Sequence, residues 1–294
     1  MKIILITLAL CSTILSTSWA EDFSPTTFPA QGLLGIEAEL DSGSINVEAW
    51  KNNTIEVQQL PDTAIVCNVI VELRGKNLFI KADRKNNNES EKNRKIGFII
   101  KAPANLLLKV NSSTLYLNLK GMSGNADVFS DTAFIGLHNV FGNVKTKVIT
   151  GSIVVNEMAG NLDLVATTAF IDLKNISGQL IAKATTCNVS GKASSADLNI
   201  ESTTGVIDIK GLTGLANIKN SSGNIKLEWA TSPLVGEITV KSSSGNIDLM
   251  FPATAKFKSN LSKRNEKTEN EFEEYDGFSL FVKSNGRITV KKVR

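Results

Sequence analysis

Histidine occurs once in these 294 residues, at His138, and cysteine three times. No His or Cys cluster has zinc spacing, and neither the calcium β-roll nonapeptide nor an EF-hand loop is present, so neither metal nor cofactor is expected. After the first twenty residues no run of about 18 apolar residues exists, which excludes a membrane-spanning helix. Charge of one sign is also lacking: 32 basic residues face 29 acidic ones without a one-sided basic block, which leaves no electrostatic case for nucleic acid. Proline is scarce, with 6 residues against 21 glycines, and long helical periodicity is absent. Strands and turns are what remain.

Residues 1–20 read as a targeting segment. Lys2 supplies a positive start, Ile3 to Ser16 an apolar stretch, and Ser18-Trp19-Ala20 the small residues of a cleavage site before Glu21. Cys11 invites a lipoprotein reading, but the bulky Leu10 before it and the short apolar run argue for soluble export. Cleavage removes Lys2 alone among the charges, leaving 31 basic and 29 acidic residues. It also leaves two cysteines, Cys67 and Cys187. They read as small buried thiols, although an oxidising compartment permits them to pair.

The strongest signal is a repeat of 18 residues. Taking Thr or Ser as phase zero, it starts at Thr114, Thr132, Thr150, Thr168, Thr186, Thr204 and Ser222, then at Ser244 after a four-residue insertion around Thr231 to Val235. Phase +3 is β-branched or Leu (Leu117, Ile135, Ile153, Ile171, Val189, Ile207, Ile225, Ile247). Phase +5 is apolar except at Gly191. Alternation with one apolar face predicts a strand. A second strand follows glycine at phase +10 (Gly124, Gly142, Gly160, Gly178, Gly214), where a tight corner with positive φ is expected. One such repeat cannot enclose a core, so neighbours must stack, with ladder hydrogen bonds above and below. The paired hydroxyl residues at the phase boundary, such as Thr203-Thr204 and Ser221-Ser222, read as corner hydrogen-bonding groups.

The predicted fold is therefore all-β, a single-chain β-solenoid of about 18-residue rungs with irregular β caps. Its divisions are a signal segment 1–20, an N-terminal β region and cap 21–110, regular repeats 111–251, and C-terminal rungs and cap 252–294. Strands are expected at Thr54–Gln58, Ala64–Arg74, Leu78–Ala82 and Ile96–Ala102, and exposed charged excursions at 83–95 and 262–275. The repeat from Thr186 to Thr203 is expected to be weak. Gly191 replaces an inward aliphatic there and Ala196 replaces the corner glycine.

The recurring Ser-Gly-Asn-Ile-x-Leu (Ser222 to Leu227, Ser244 to Leu249), the entry segment Ile96 to Ser113 and the closing segment Phe251 to Asn260 resemble the bacterial putative-adhesin family of β-strand repeats, domain of unknown function 4097. The likeness runs from Gly32 to Val293. It implies an exported, right-handed solenoid and carries over no catalytic residue.

Chemistry is sparse. His138, at the outward phase +6, reads as a surface polar residue rather than a catalytic base. Asp172, Asp208 and Asp248 share phase +4, beside Lys174, Lys192 and Lys210 at +6. Asp172 and Asp208 fall two strand spacings apart, about 10 Å, a separation that suits an inverting carboxylate pair in principle. Ser190 between them and Lys226 beyond make a solvated face of mixed charge the better reading. Tyr116, Phe134 and Phe170 share phase +2 and form either an exposed stripe able to stack on sugars or dock a protein, or rings covered by other chain. The surface candidates for binding are thus Tyr116, Phe134, Phe170, Asp172, Lys174, Asp208 and Lys210. The function that follows is a non-enzymatic, adhesin-like interaction module of the cell envelope, with a protein or glycan as ligand and a periplasmic, cell-surface or secreted location. The alternatives are a self-associating envelope scaffold and, behind it, a carbohydrate-active β-helix enzyme.

Overall fold

The computed structural model describes residues 24–85, 96–192, 195–262 and 268–293, and its strands join into one extended, open sheet. The expected targeting segment lies outside the described residues, as do 86–95 and 263–267 of the two charged stretches. Parallel pairing follows the repeat residue for residue. Thr114 opposes Thr132, which opposes Thr150, which opposes Thr168. Further along, Thr186 opposes Thr204, then Ser222, then Ser244 across the four-residue insertion.

Inward positions form continuous apolar columns. Leu117, Ile135, Ile153, Ile171, Val189, Ile207, Ile225 and Ile247 are all buried, as are the +5 residues from Leu119 to Leu249 apart from Gly191. Polar groups at the corners bond between repeats. Asn125 Oδ1 accepts from the Asn143 N–H and Asn143 Oδ1 from the Asn161 N–H, both at 3.0 Å. Each side-chain amide thus satisfies a corner N–H that no strand partner reaches.

The expected cause of the +10 glycines needs correction. Gly160 and Gly178 have positive φ, but Gly124, Gly142 and Gly214 do not. What these glycines share is a close approach: a Cβ on Gly142 would overlap the Gly124 carbonyl oxygen, and one on Gly160 the Gly142 carbonyl oxygen. The left-handed corner falls instead at phase +7, at Gly121, Asn139, Glu157, Asn175 and Gly211, with φ between 52° and 72°.

Both ends are wound out of sequence order. The strand Gly35–Trp50 pairs with Leu107–Lys120 on one edge and with Asn77–Arg84 and Gly97–Pro103 on the other. Antiparallel strands Cys67–Arg74, Thr54–Gln59 and Thr26–Pro29 close that end. At the other end the last strands are inserted. Phe278–Lys283 lies between Glu237–Ser244 and Phe257–Leu261, and Ile288–Lys292 between Ile247–Phe251 and Thr268–Asn270. Trp229, Phe251, Phe257 and Phe278 fill the interior there, with Trp229 stacked on Phe251 at 4.4 Å.

Two local expectations are revised. The strand placed at Ala64–Arg74 begins only at Cys67, because Pro61–Val66 is a helical turn. Pro61 suits its first position, and the buried Thr63 hydroxyl fastens it by donating to the Gly97 carbonyl and accepting the Gly97 N–H. The excursion placed at 262–275 includes a strand, Thr268–Asn270, paired with Ile288–Val290.

Candidate functional site

Side chains at phases +2, +4 and +6 of the regular repeats point away from the core onto one face. All seven candidate residues lie on it. Tyr116 and Phe134 are ladder partners whose rings stack at 4.9 Å with 9° between planes. Their exposures are 49% and 37%, and that of Phe170 is 50%. Ser152 is the ladder partner of both Phe134 and Phe170. Those two rings therefore flank a gap of two strand spacings, about 9–10 Å, floored by a small hydroxyl side chain.

The charged candidates do not converge. Asp172 opposes Val154, and Lys174 opposes Asn156. Asp208 stands two repeats on, between Ser190 and Lys226, and Lys210 opposes Lys192. Asp248 opposes Lys226 on one side and carries Arg287 at 3.5 Å. His138 opposes Lys120 and Asn156. Among the described residues no group of three or more His, Cys, Asp or Glu side chains is placed to hold a metal ion. The face offers flat area, stacked rings and scattered polar groups.

Cys67 and Cys187 are both buried and unpaired. Burial pushes the Cys187 thiol up to about 11 and raises that of Cys67 as well. Protonated and enclosed, neither is a nucleophile at neutral pH.

One contributor to the face was not singled out from sequence. Asn118, at +4 beside Tyr116, has a buried Oδ1 without a hydrogen-bond partner among the described residues. Its ladder partner is Gly136, and the Asn118 and His138 side chains close over that glycine: a Cβ there would lie 2.9 Å from Asn118 Oδ1 and 3.4 Å from His138 Nε2. The available signal was a glycine at an outward strand position, where close approach is the usual reason for it.

The Toastrack DUF4097 family model matches residues 34–275. No curated protein matches the chain. Solved structures similar to it include a putative adhesin from Parabacteroides merdae ATCC 43184, at 13% identity and TM-score 0.35, with 92% of this chain and 96% of that chain covered. A putative lipid binding protein from Parabacteroides distasonis ATCC 8503 is 17% identical with TM-score 0.37, covering 93% and 98%. A putative cell adhesion protein from Clostridium sporogenes ATCC 15579 is 12% identical with TM-score 0.20, covering 92% and 100%. With its model matched across most of the sequence, the chain belongs to the Toastrack DUF4097 family.

Proposed function

We propose that this protein is an exported, non-enzymatic β-solenoid of 18-residue rungs, wound right-handedly, that serves as an adhesin-like interaction module of the cell envelope. Its binding face is the outward surface of the regular repeats, and its ligand is a glycan or a protein. The observation that carries the reading is the stacked, half-exposed Tyr116–Phe134 pair, continued by Phe170 beyond the Ser152 gap. Exposed rings held in a strand ladder lose little entropy on binding and present the apolar surface that sugars and protein partners use. Export rests on the character of residues 1–20.

Protease shaving of intact producing cells, followed by fractionation, tests location. Loss of the chain from whole cells supports surface display. Protection until osmotic shock would place it in the periplasm and sink the adhesin reading. Glycan and protein screens with the native chain and with Phe134→Ala and Phe170→Ala test the face itself. Both substitutions should weaken ligand capture by about 1–3 kcal/mol, as loss of an aromatic contact does. Unchanged capture by both would remove this face from the account.

A further inference from the structure

A second groove runs along the corner of the later repeats, on a different face from the aromatic column. It encloses about 440 Å³ between a wall of lysines at phase +15 and a wall of serines at phase +17. Lys219 opposes Lys241, and Lys241 opposes Lys283, so three ammonium groups succeed one another at single strand spacings, about 4.8 Å. Opposite them stand the exposed Ser221 and Ser243.

Like charges directly opposed in a ladder are destabilising. Some other lysines meet a carboxylate in direct register, Lys109 with Glu37 at 2.6 Å and Lys120 with Glu48 at 2.7 Å, whereas Lys192 and Lys210 also oppose each other. No carboxylate lies within ion-pairing distance of Lys219, Lys241 or Lys283 among the described residues. Glu201, the ladder partner of Lys219, borders only one end of the groove. Lys241 lies 4.8 Å from the Phe281 ring, a contact that orients the ammonium while leaving its charge in place.

The groove floor is fixed. Ser202 donates to Asn220 Oδ1 at 3.1 Å, Asn220 Nδ2 donates to the Gly205 carbonyl at 2.9 Å, and the Ser242 hydroxyl donates to the Ser244 carbonyl at 3.1 Å. These buried polar side chains have used their hydrogen bonds internally, so the floor is rigid and the free donors are those of the walls.

We infer that this groove binds an acidic polysaccharide, a chain bearing a carboxylate on successive sugars. Successive rings of an extended polysaccharide are turned about the chain axis, so carboxylates two rings on, about two strand spacings away, face the same lysine row while ring hydroxyls meet Ser221 and Ser243. Single-stranded nucleic acid fits less well, because no aromatic platform lines this groove for its bases.

The test uses the full chain and oligogalacturonate of four residues, titrated calorimetrically at low salt. Binding is expected to weaken steeply with added salt. The triple variant Lys219→Gln, Lys241→Gln, Lys283→Gln should lose affinity by roughly tenfold or more and flatten the salt dependence. Its melting temperature should hold or rise at low salt, which separates lost binding from lost folding. The matched triple Lys51→Gln, Lys76→Gln, Lys145→Gln, away from the groove, should bind as the native chain does. Equal binding of the methyl-esterified oligomer, no loss in the groove variant, or no binding by the native chain would overturn the proposal. So would tighter capture of single-stranded oligothymidylate or phosphatidylserine vesicles. Because the groove shares no residue with the aromatic face, Phe134→Ala and Phe170→Ala should leave this titration unchanged.

Discussion

Glu37 and Lys109 lie 72 positions apart, yet they oppose each other directly in parallel register with Oε1 and Nζ 2.6 Å apart. Glu48 and Lys120 repeat the same offset at the other end of the strand pair. Seventy-two is four repeats of 18, so Gly35–Trp50 keeps the phase of the regular array although the closing strands intervene in sequence. The hydrogen bond to Glu37 raises the Lys109 amine above the usual lysine range. These pairs are half-exposed, and their main service is register. Glu37→Lys should lower the melting temperature more at low salt than at high salt, and adding Lys109→Glu should restore most of it. A double variant no better than the single one would show that apolar pairing alone sets the register.

Ile171 and Ile207 are buried at phase +3 in columns continuous with their neighbours. An aspartate at either site buries an unpaired charge and interrupts packing on both sides, costing about 3–5 kcal/mol. Ile171→Asp or Ile207→Asp should abolish or broaden the cooperative unfolding transition seen by circular dichroism. Lys192→Ala, on an exposed outward position, should leave that transition within about 0.5 kcal/mol of the native one. An unmoved transition in the aspartate variants would mean the inward column is wrongly drawn.

The repeat phase, the inward columns and the placement of all seven candidate residues on one face were legible because period-two alternation repeats every 18 residues without drift. The winding order at the ends was not. Ile288 reads as one more repeat, and only long-range pairing shows it inserted between Ile247 and Thr268. Corners were half legible. Glycine recurs visibly at +10, but its cause, the carbonyl of the preceding repeat, is a contact 18 residues away. The left-handed position at +7 mixes Gly, Asn and Glu157, so no single residue type marks it. At the Thr/Ser pairs, alternation predicts opposite faces, yet Thr203 and Thr204 are both exposed because the chain turns between them. The lysine groove escaped notice because its members belong to +15, where the earlier repeats carry Phe129 and Val165.

Glu157 holds φ of 67°, in the column occupied otherwise by Gly121, Asn139, Asn175 and Gly211. A side chain without glycine's freedom or asparagine's local hydrogen bonding costs about 1–2 kcal/mol in that region. Glu157→Gly should therefore stabilise the chain by about 1 kcal/mol after glycine's greater unfolded entropy is counted. Urea titration with an unchanged m-value is the measure. A destabilised variant would show that Glu157 makes contacts worth more than its strain.

Gly142 makes the opposite case. Its Cβ would overlap the Gly124 carbonyl oxygen, and Gly124 and Gly160 continue the same close stack. Gly142→Ala should cost about 1–3 kcal/mol, because the neighbouring backbone cannot yield as a flexible side chain would. Ala196 occupies this phase natively in the repeat from Thr186 to Thr203, so Ala196→Gly should be tolerated. If hydrogen exchange in Gly142→Ala is no faster at the adjoining repeats than in the native chain, the close stack carries no stability.

Cys187 supplies a pH dependence with a definite sign. Its thiol sits at phase +1, in the column held by Ala133 and Ala169, and burial alone pushes it up to about 11. The folded chain thus keeps the proton where the unfolded chain gives it up. The stability this contributes is complete below about pH 9 and fades as pH rises toward 11, by about 2–3 kcal/mol over the window. Cys187→Ala, which places in this column the residue that two other repeats already use, should remove that part of the alkaline loss while costing little at pH 7. The measurement is the difference in unfolding free energy between native and variant chains at pH 7, 9 and 10.5, since lysine and tyrosine titrations are common to both. A constant difference across that range would mean the thiol reaches solvent in the folded state. Iodoacetamide at pH 8 should then label the native chain as fast as the urea-unfolded one, whereas an enclosed thiol labels only as the repeats open.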